Sequence, residues 1–137
     1  MLFVQMGHED LRERLPGGVY IGAVIIPDGC VASGSIQGIE ALHAALSAEN
    51  VPASKIAADR AGHSSLLEGA KPHLRKVLES VVLHRPRIRI LSNVTGALLS
   101  DSEATDPDFW SARLASVILG VRFWRRYTRR TVVSCEG

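Results

Sequence analysis

Val19-Tyr20-Ile21-Gly22-Ala23-Val24-Ile25-Ile26-Pro27-Asp28-Gly29-Cys30-Val31-Ala32-Ser33 is a β-branched apolar run, a turn and a second apolar run. Proline presets the φ of a turn, and Asp and Gly complete one, so the segment predicts a β-hairpin. Upstream, Met1 to Met6 reads as a short strand closed by Gly7. His8 to Leu15 places Leu11 and Leu15 at helical spacing, and Pro16-Gly17-Gly18 stops that helix. Downstream, Ser35 is a candidate cap for a helix with Ile36, Ile39, Leu42 and Leu46 on one face. Asn50 suits the left-handed position that ends it, Pro52 cannot continue it, and Ala53 to Ala58 predicts a fourth strand.

The order strand, helix, strand, strand, helix, strand over residues 1–59 is the split unit of a ferredoxin-like (βαββαβ) subdomain. The rest of the chain changes character. Ser65-x-x-Glu68 matches a capping box for a helix burying Leu67, Leu74, Val77, Leu78 and Val81. Pro72 lies too far in for its first turn, which predicts a kink or a broken turn there. Arg87 to Val94 alternates and then runs apolar, predicting a strand. Asp106-Pro107 is a cap followed by a first-position proline, opening a helix through Leu114. The expected class is α+β: the ferredoxin-like subdomain, then residues 60–123 as partial α/β-hydrolase-like elements (helix, strand, helix), then a basic tail over 124–137.

Composition bounds the function. At 137 residues and 46% hydrophobic content the chain can bury a core. A net charge of +2 argues against nucleic acid as the partner of the whole chain. Trp124-Arg125-Arg126-Tyr127-Thr128-Arg129-Arg130 interleaves aromatics with arginines, but without a supporting fold motif it reads as a solvated tail. Cys30 and Cys135 are too few for a disulfide framework and show no metal-ligand spacing, so no metal and no bound cofactor are expected. No run approaches the roughly 18 apolar residues of a membrane span, and the N-terminus lacks a charged leader; the expected setting is the cytoplasm.

The chemistry-bearing stretch is Asp59-Arg60-Ala61-Gly62-His63-Ser64-Ser65-Leu66. Gly62-His63-Ser64 begins like a nucleophile elbow, whose G-x-S-x-G pattern needs glycine where Leu66 stands. Ser64 then reads most simply as a helix-start residue, and His63 reads either as a satisfied surface histidine or as a general base whose nucleophile lies elsewhere.

Ser92-Asn93-Val94-Thr95-Gly96, Ala104-Thr105-Asp106-Pro107-Asp108-Phe109-Trp110 and His63-Ser64 resemble segments of the acyltransferase domains of polyketide synthases. Val31-Ala32-Ser33-Gly34 and Val51-Pro52-Ala53 fit at the expected intervals. The resemblance runs from Met1 to about Leu114 and implies the C-terminal part of such a domain, belonging with the malonyl-CoA:acyl carrier protein transacylases. It implies that the nucleophilic serine, its oxyanion hole and the carboxylate-binding arginine would precede Met1. His63 would be the base, with Arg60, Gly62 and Asn93 near the substrate. Acyl-CoA would be the substrate, and a carrier protein's phosphopantetheine the acceptor. The expected partners are that carrier protein and the missing N-terminal half of the domain or neighbouring synthase domains, with self-association through uncovered apolar faces. Alone, such a fragment is expected to be inactive; the alternative is a free-standing ferredoxin-like module that binds a ligand or protein without catalysis. Three departures stand out: Arg60-Ala61-Gly62-His63 matches neither selectivity motif of the family, Ile25-Ile26-Pro27 replaces Asn-Ala-Pro, and Ala115 to Gly120 intervene before Val121-Arg122-Phe123.

Overall fold

The computed structural model describes residues 1–120; the arginine-rich segment and Val121-Arg122-Phe123 lie outside the described residues. The chain is α+β and is built on one mixed five-stranded sheet. β1 (Leu2–Val4), α1 (His8–Arg14), β2 (Val19–Ile26), β3 (Gly29–Gly34), α2 (Ile36–Ala48) and β4 (Ala53–Lys55) follow the expected order. The sheet order is β4-β1-β3-β2-β5, where β5 (Ile118–Leu119) runs parallel to β2 and the other pairings are antiparallel.

The hairpin forms as its sequence predicts, with Ile26 opposite Gly29 across Pro27 and Asp28. It carries a bulge: Ile21 pairs with Ala32 and Ala23 with Val31, leaving Gly22 as the extra residue. One face presents Leu2, Val4, Cys30, Ala32, Val19, Ile21 and Val24 to Leu11 of α1 and Ile39, Leu42 and Leu46 of α2. Each fully buried aliphatic side chain there contributes about 1.5–3 kcal/mol. Burial pushes the Cys30 thiol pKa up, as for an inert core residue.

The second face of the hairpin is covered as well, because Ser33 is fully buried and donates to the Gly62 carbonyl at 2.6 Å. That second cover explains why β3 reads as a buried run without polar alternation. A side chain at Gly22 would meet Ser33 Cβ at 3.1 Å and the Gly62 oxygen at 3.2 Å, so glycine lets the 60s segment approach the sheet.

Caps behave as read at Ser35, which accepts from Gly38, at Asp106, which accepts from Asp108, and at Asn50, whose φ is 57°. Pro72 breaks its turn as read, whereas three details of the helices differ from the sequence reading. Ile36 is 82% exposed, because it begins α2 beyond the sheet edge's cover. Ser65–Ala70 is a 3-10 helix that leads into α3 (Lys71–Glu79) with Pro72 in its first turn, the broken turn that proline demands. The Ser65-Glu68 capping box does not form: Ser64 is the N-cap, its hydroxyl bonds backward to Ala61, and Glu68 pairs with Lys71. Val77 and Val81 of the expected inward stripe are 60% and 52% exposed.

The strand expected over Arg87 to Val94 is absent; only Leu91 bridges, to Leu98, around a turn. The Ser92 hydroxyl accepts from Val94 and Thr95, and Gly96 sits at φ 67°. Serine capping its own turn outcompetes an extended run here. α4 (Asp101–Ala104) and α5 (Pro107–Ala112) complete the described elements.

Candidate active site

His63 stands where the 60s segment leaves the sheet, with φ at 58°. Left-handed backbone is uncommon for a side chain larger than glycine and costs of order 1–3 kcal/mol, so surrounding bonds must hold it. They do so on both flanks. The Gly62 carbonyl is held by Ser33 at 2.6 Å and the Ala61 carbonyl by Ser64 Oγ at 2.6 Å. The His63 N–H donates to the Leu114 carbonyl at 3.1 Å.

The ring is held too: Nδ1 lies 3.2 Å from the carbonyl oxygen of Arg113. A carbonyl can only accept, so that contact assigns the proton to Nδ1 and leaves the Nε2 lone pair as the basic site. The carbonyl thereby fixes the orientation and tautomer of the ring, as a carboxylate does in a Ser-His-Asp triad. His63 borders two open clefts. One, of about 360 Å³, is lined by Arg12, Leu15, Tyr20, Ser65, Ala115 and Val117 among others. The other, of about 380 Å³, is mostly apolar and is walled by Gly62, Leu67, Leu74, Trp110, Arg113 and Leu114.

Ser64 is 1% exposed with its hydroxyl committed to Ala61, so it cannot present a nucleophile. Gly62 lies beside His63, and a Cβ there would meet only Met1 Sδ at 4.0 Å. Asn93 comes to the site indirectly, its Oδ1 accepting from Arg113 Nη2 at 2.6 Å. Arg60 is not brought to His63; it is exposed and lines a separate cleft with Met1, Ile36, Lys55 and Asp59. Sequence reasoning misses Arg113 and Trp110 as parts of the site. Trp110 belongs to a motif that signals the family without a role attached, and Arg113 carries no local signal beyond its charge. Among the described residues, no three His, Cys, Asp or Glu side chains converge as metal ligands, and no helix is long and apolar enough to cross a membrane.

No family model matches the chain. One component of the phenolphthiocerol/phthiocerol polyketide synthase of Mycobacterium tuberculosis is 32% identical over 118 residues, covering 86% of this chain and 8% of that protein. Polyketide synthase GfsB of Streptomyces halstedii is 35% identical over 121 residues, covering 86% of this chain and 2% of that protein. The acyl transferase domain of SpnD, in complex with 2-(pent-4-yn-1-yl)malonyl, superposes with a TM-score of 0.84 at 26% identity. That match covers 93% of this chain and 32% of that domain. A loading acyltransferase from the avermectin polyketide synthase gives 0.85 at 24% identity, a likeness of fold, over 93% of this chain and 42% of that one.

Proposed function

The chain is homologous to polyketide synthase acyltransferase domains and spans about a third of one, and from that premise we propose that it supplies their general base, His63. The observation that carries the reading is the Nδ1 contact with the Arg113 carbonyl, which leaves Nε2 unprotonated beside two clefts. Residues 1–59 act as the ferredoxin-like subdomain; the βαββαβ order and the β4-β1-β3-β2 arrangement support that. Residues 60–123 belong to the hydrolase-like part.

Given a serine from the complementary part of a domain, Nε2 takes the hydroxyl proton as oxygen attacks the thioester carbonyl of a malonyl-type acyl-CoA. The imidazolium, with Nδ1–H still on the Arg113 carbonyl, then protonates the departing CoA thiolate. In the return half, Nε2 takes the proton of a carrier protein's phosphopantetheine thiol, the acyl group moves to sulfur, and the serine regains its proton. A positioned base of this kind contributes about 10²–10⁴-fold. The apolar lining of the cleft at Leu67, Leu74 and Trp110, beside His63, supports its taking the acyl chain's α-substituent.

The test pairs the chain with an elbow-bearing N-terminal part of a polyketide synthase acyltransferase and measures malonyl transfer from CoA to a carrier protein. Transfer is expected only from the pair, with His63→Ala lowering kcat at least about 100-fold. The chain alone should show no acyl adduct by mass spectrometry. An adduct on Ser64, or unchanged transfer in His63→Ala, would overturn the reading, the latter in favour of a non-catalytic module.

A further inference from the structure

His63 depends on a carbonyl that its own helix does not hold. Arg113 follows the last residue of α5, where the final carbonyls of any helix lack partners within it. Among the described residues its oxygen receives only a long 3.4 Å bond from the Ser116 N–H besides the His63 ring. A short helix end of this kind frays readily, so the direction of that carbonyl must be set from outside. The Arg113 side chain supplies the anchor: Nη2 donates to Asn93 Oδ1 at 2.6 Å, and the guanidinium sits 5.2 Å from the centre of the Trp110 ring. Both anchors are themselves tied down. Trp110 Nε1 donates to the Ala104 carbonyl at 2.9 Å and packs edge-on against Phe109. The Asn93 carbonyl accepts from the Leu119 N–H at 2.7 Å, and Leu119 pairs with Val24 of β2.

We propose that Asn93 and Arg113 are positioning residues for His63: the sheet, through β5 and the Asn93 amide, holds the Arg113 guanidinium, and so aims the carbonyl that keeps the His63 proton on Nδ1. Asn93 thereby acts on the base without touching substrate. Oδ1 is the group that matters, since Nη2 needs an acceptor and the amide nitrogen offers none. The proposal rests on reading His63 as the base, but its test observes the imidazole directly. Failure to transfer acyl groups and failure of the pair are therefore separate results.

The experiment is nitrogen-15 NMR of the histidine rings in the full chain, at a pH where His63 is neutral. The wild type is expected to show the Nδ1–H form. Asn93→Ala and Arg113→Leu, which keep the Arg113 backbone carbonyl, are each expected to shift His63 toward Nε2–H. Asn93→Asp, which still accepts from Arg113, is expected to retain the wild-type pattern. Amide signals from Leu2, Val4 and Cys30 report the core and are expected to stay in place, since their side chains are fully buried in the cluster with Leu11, Leu42 and Leu46. Retention of Nδ1–H in Asn93→Ala or Arg113→Leu, or its loss in Asn93→Asp, overturns the proposal. So does an Nε2–H wild type. Collapse of the core signals in Asn93→Ala also counts against it, because the pair would then hold the fold and not the ring.

Discussion

Ser33 is the side chain through which the sheet grips the backbone of the turn that carries His63. It is fully buried, and its hydroxyl reaches the Gly62 oxygen at 2.6 Å, one residue before the left-handed His63. Ser33→Ala removes the donor and leaves that carbonyl without it, a loss expected at about 1–2 kcal/mol in urea unfolding. The same substitution should move the His63 ring signals, because one flank of the strained turn is freed. Gly62 behaves oppositely. Its φ is not positive and a Cβ would touch almost nothing, so Gly62→Ala is expected to be tolerated and to stabilise by about 0.4–1 kcal/mol through the unfolded chain. A loss above about 1 kcal/mol would show that glycine is required there. His63 is legible in sequence as a base candidate; its partners are not. The carbonyl that holds its ring lies 50 residues away, and a backbone carbonyl leaves no mark on residue identity.

Helix ends are the elements best read in sequence where the cap residue stands free, and worst where its side chain has another bond. Ser35 and Asp106 cap as their types demand, whereas the Ser65-Glu68 pattern fails because Ser64 takes the cap position and Glu68 pairs with Lys71. The working capping box is Ser100 with Glu103, where the Ser100 side chain accepts from the Glu103 N–H and the Glu103 carboxylate accepts from the Ser100 N–H. Those bonds, the backbone one foremost, hold the Glu103 carboxyl below its ordinary value of 4.5. A depressed carboxyl pKa contributes stability that is present above that ordinary value and is lost as pH falls through the folded-state value. Ser100→Ala removes the cap on the Glu103 N–H, a loss expected to cost about 1 kcal/mol. It should also flatten part of the decline in stability below pH 4.5. Urea midpoints of both proteins between neutral and acid pH test this, and parallel curves would refute it.

At the scale of the molecule, the two halves of the chain are unequal. The sheet and its helices close one core, while Val77, Val82 and Ile88 of the second half are 60%, 78% and 82% exposed. Large apolar side chains left exposed in number are a common mark of an interface. The chain is expected to bind a hydrophobic dye and to self-associate in sedimentation. Val82→Lys with Ile88→Lys should reduce both while shifting stability by less than about 0.5 kcal/mol, as for other exposed positions. Undiminished dye binding in that variant would place the surface elsewhere.

Residues 1–59 can be read almost element by element, because each signal there is local: a proline turn, a capping serine, an asparagine at a left-handed position, leucines at helical spacing. Beyond residue 60 the decisive interactions join distant segments, and local patterns mislead. Arg87 to Val94 alternates like a strand, yet Ser92 folds it into a turn. Ile118 and Leu119, too few to signal a strand, become one because Ala23 and Val24 leave an edge to pair with. Leu119 in turn donates to the Asn93 carbonyl, and the Asn93 side chain meets Arg113. The sequence by itself determined the order of the first six elements, the caps at Ser35, Asn50 and Asp106, and the histidine that is the candidate base. The tertiary structure alone decided which carbonyl holds that histidine and which side chains hold the carbonyl, because hydrogen bonds across 20 to 50 residues follow from sheet pairing and not from any local pattern.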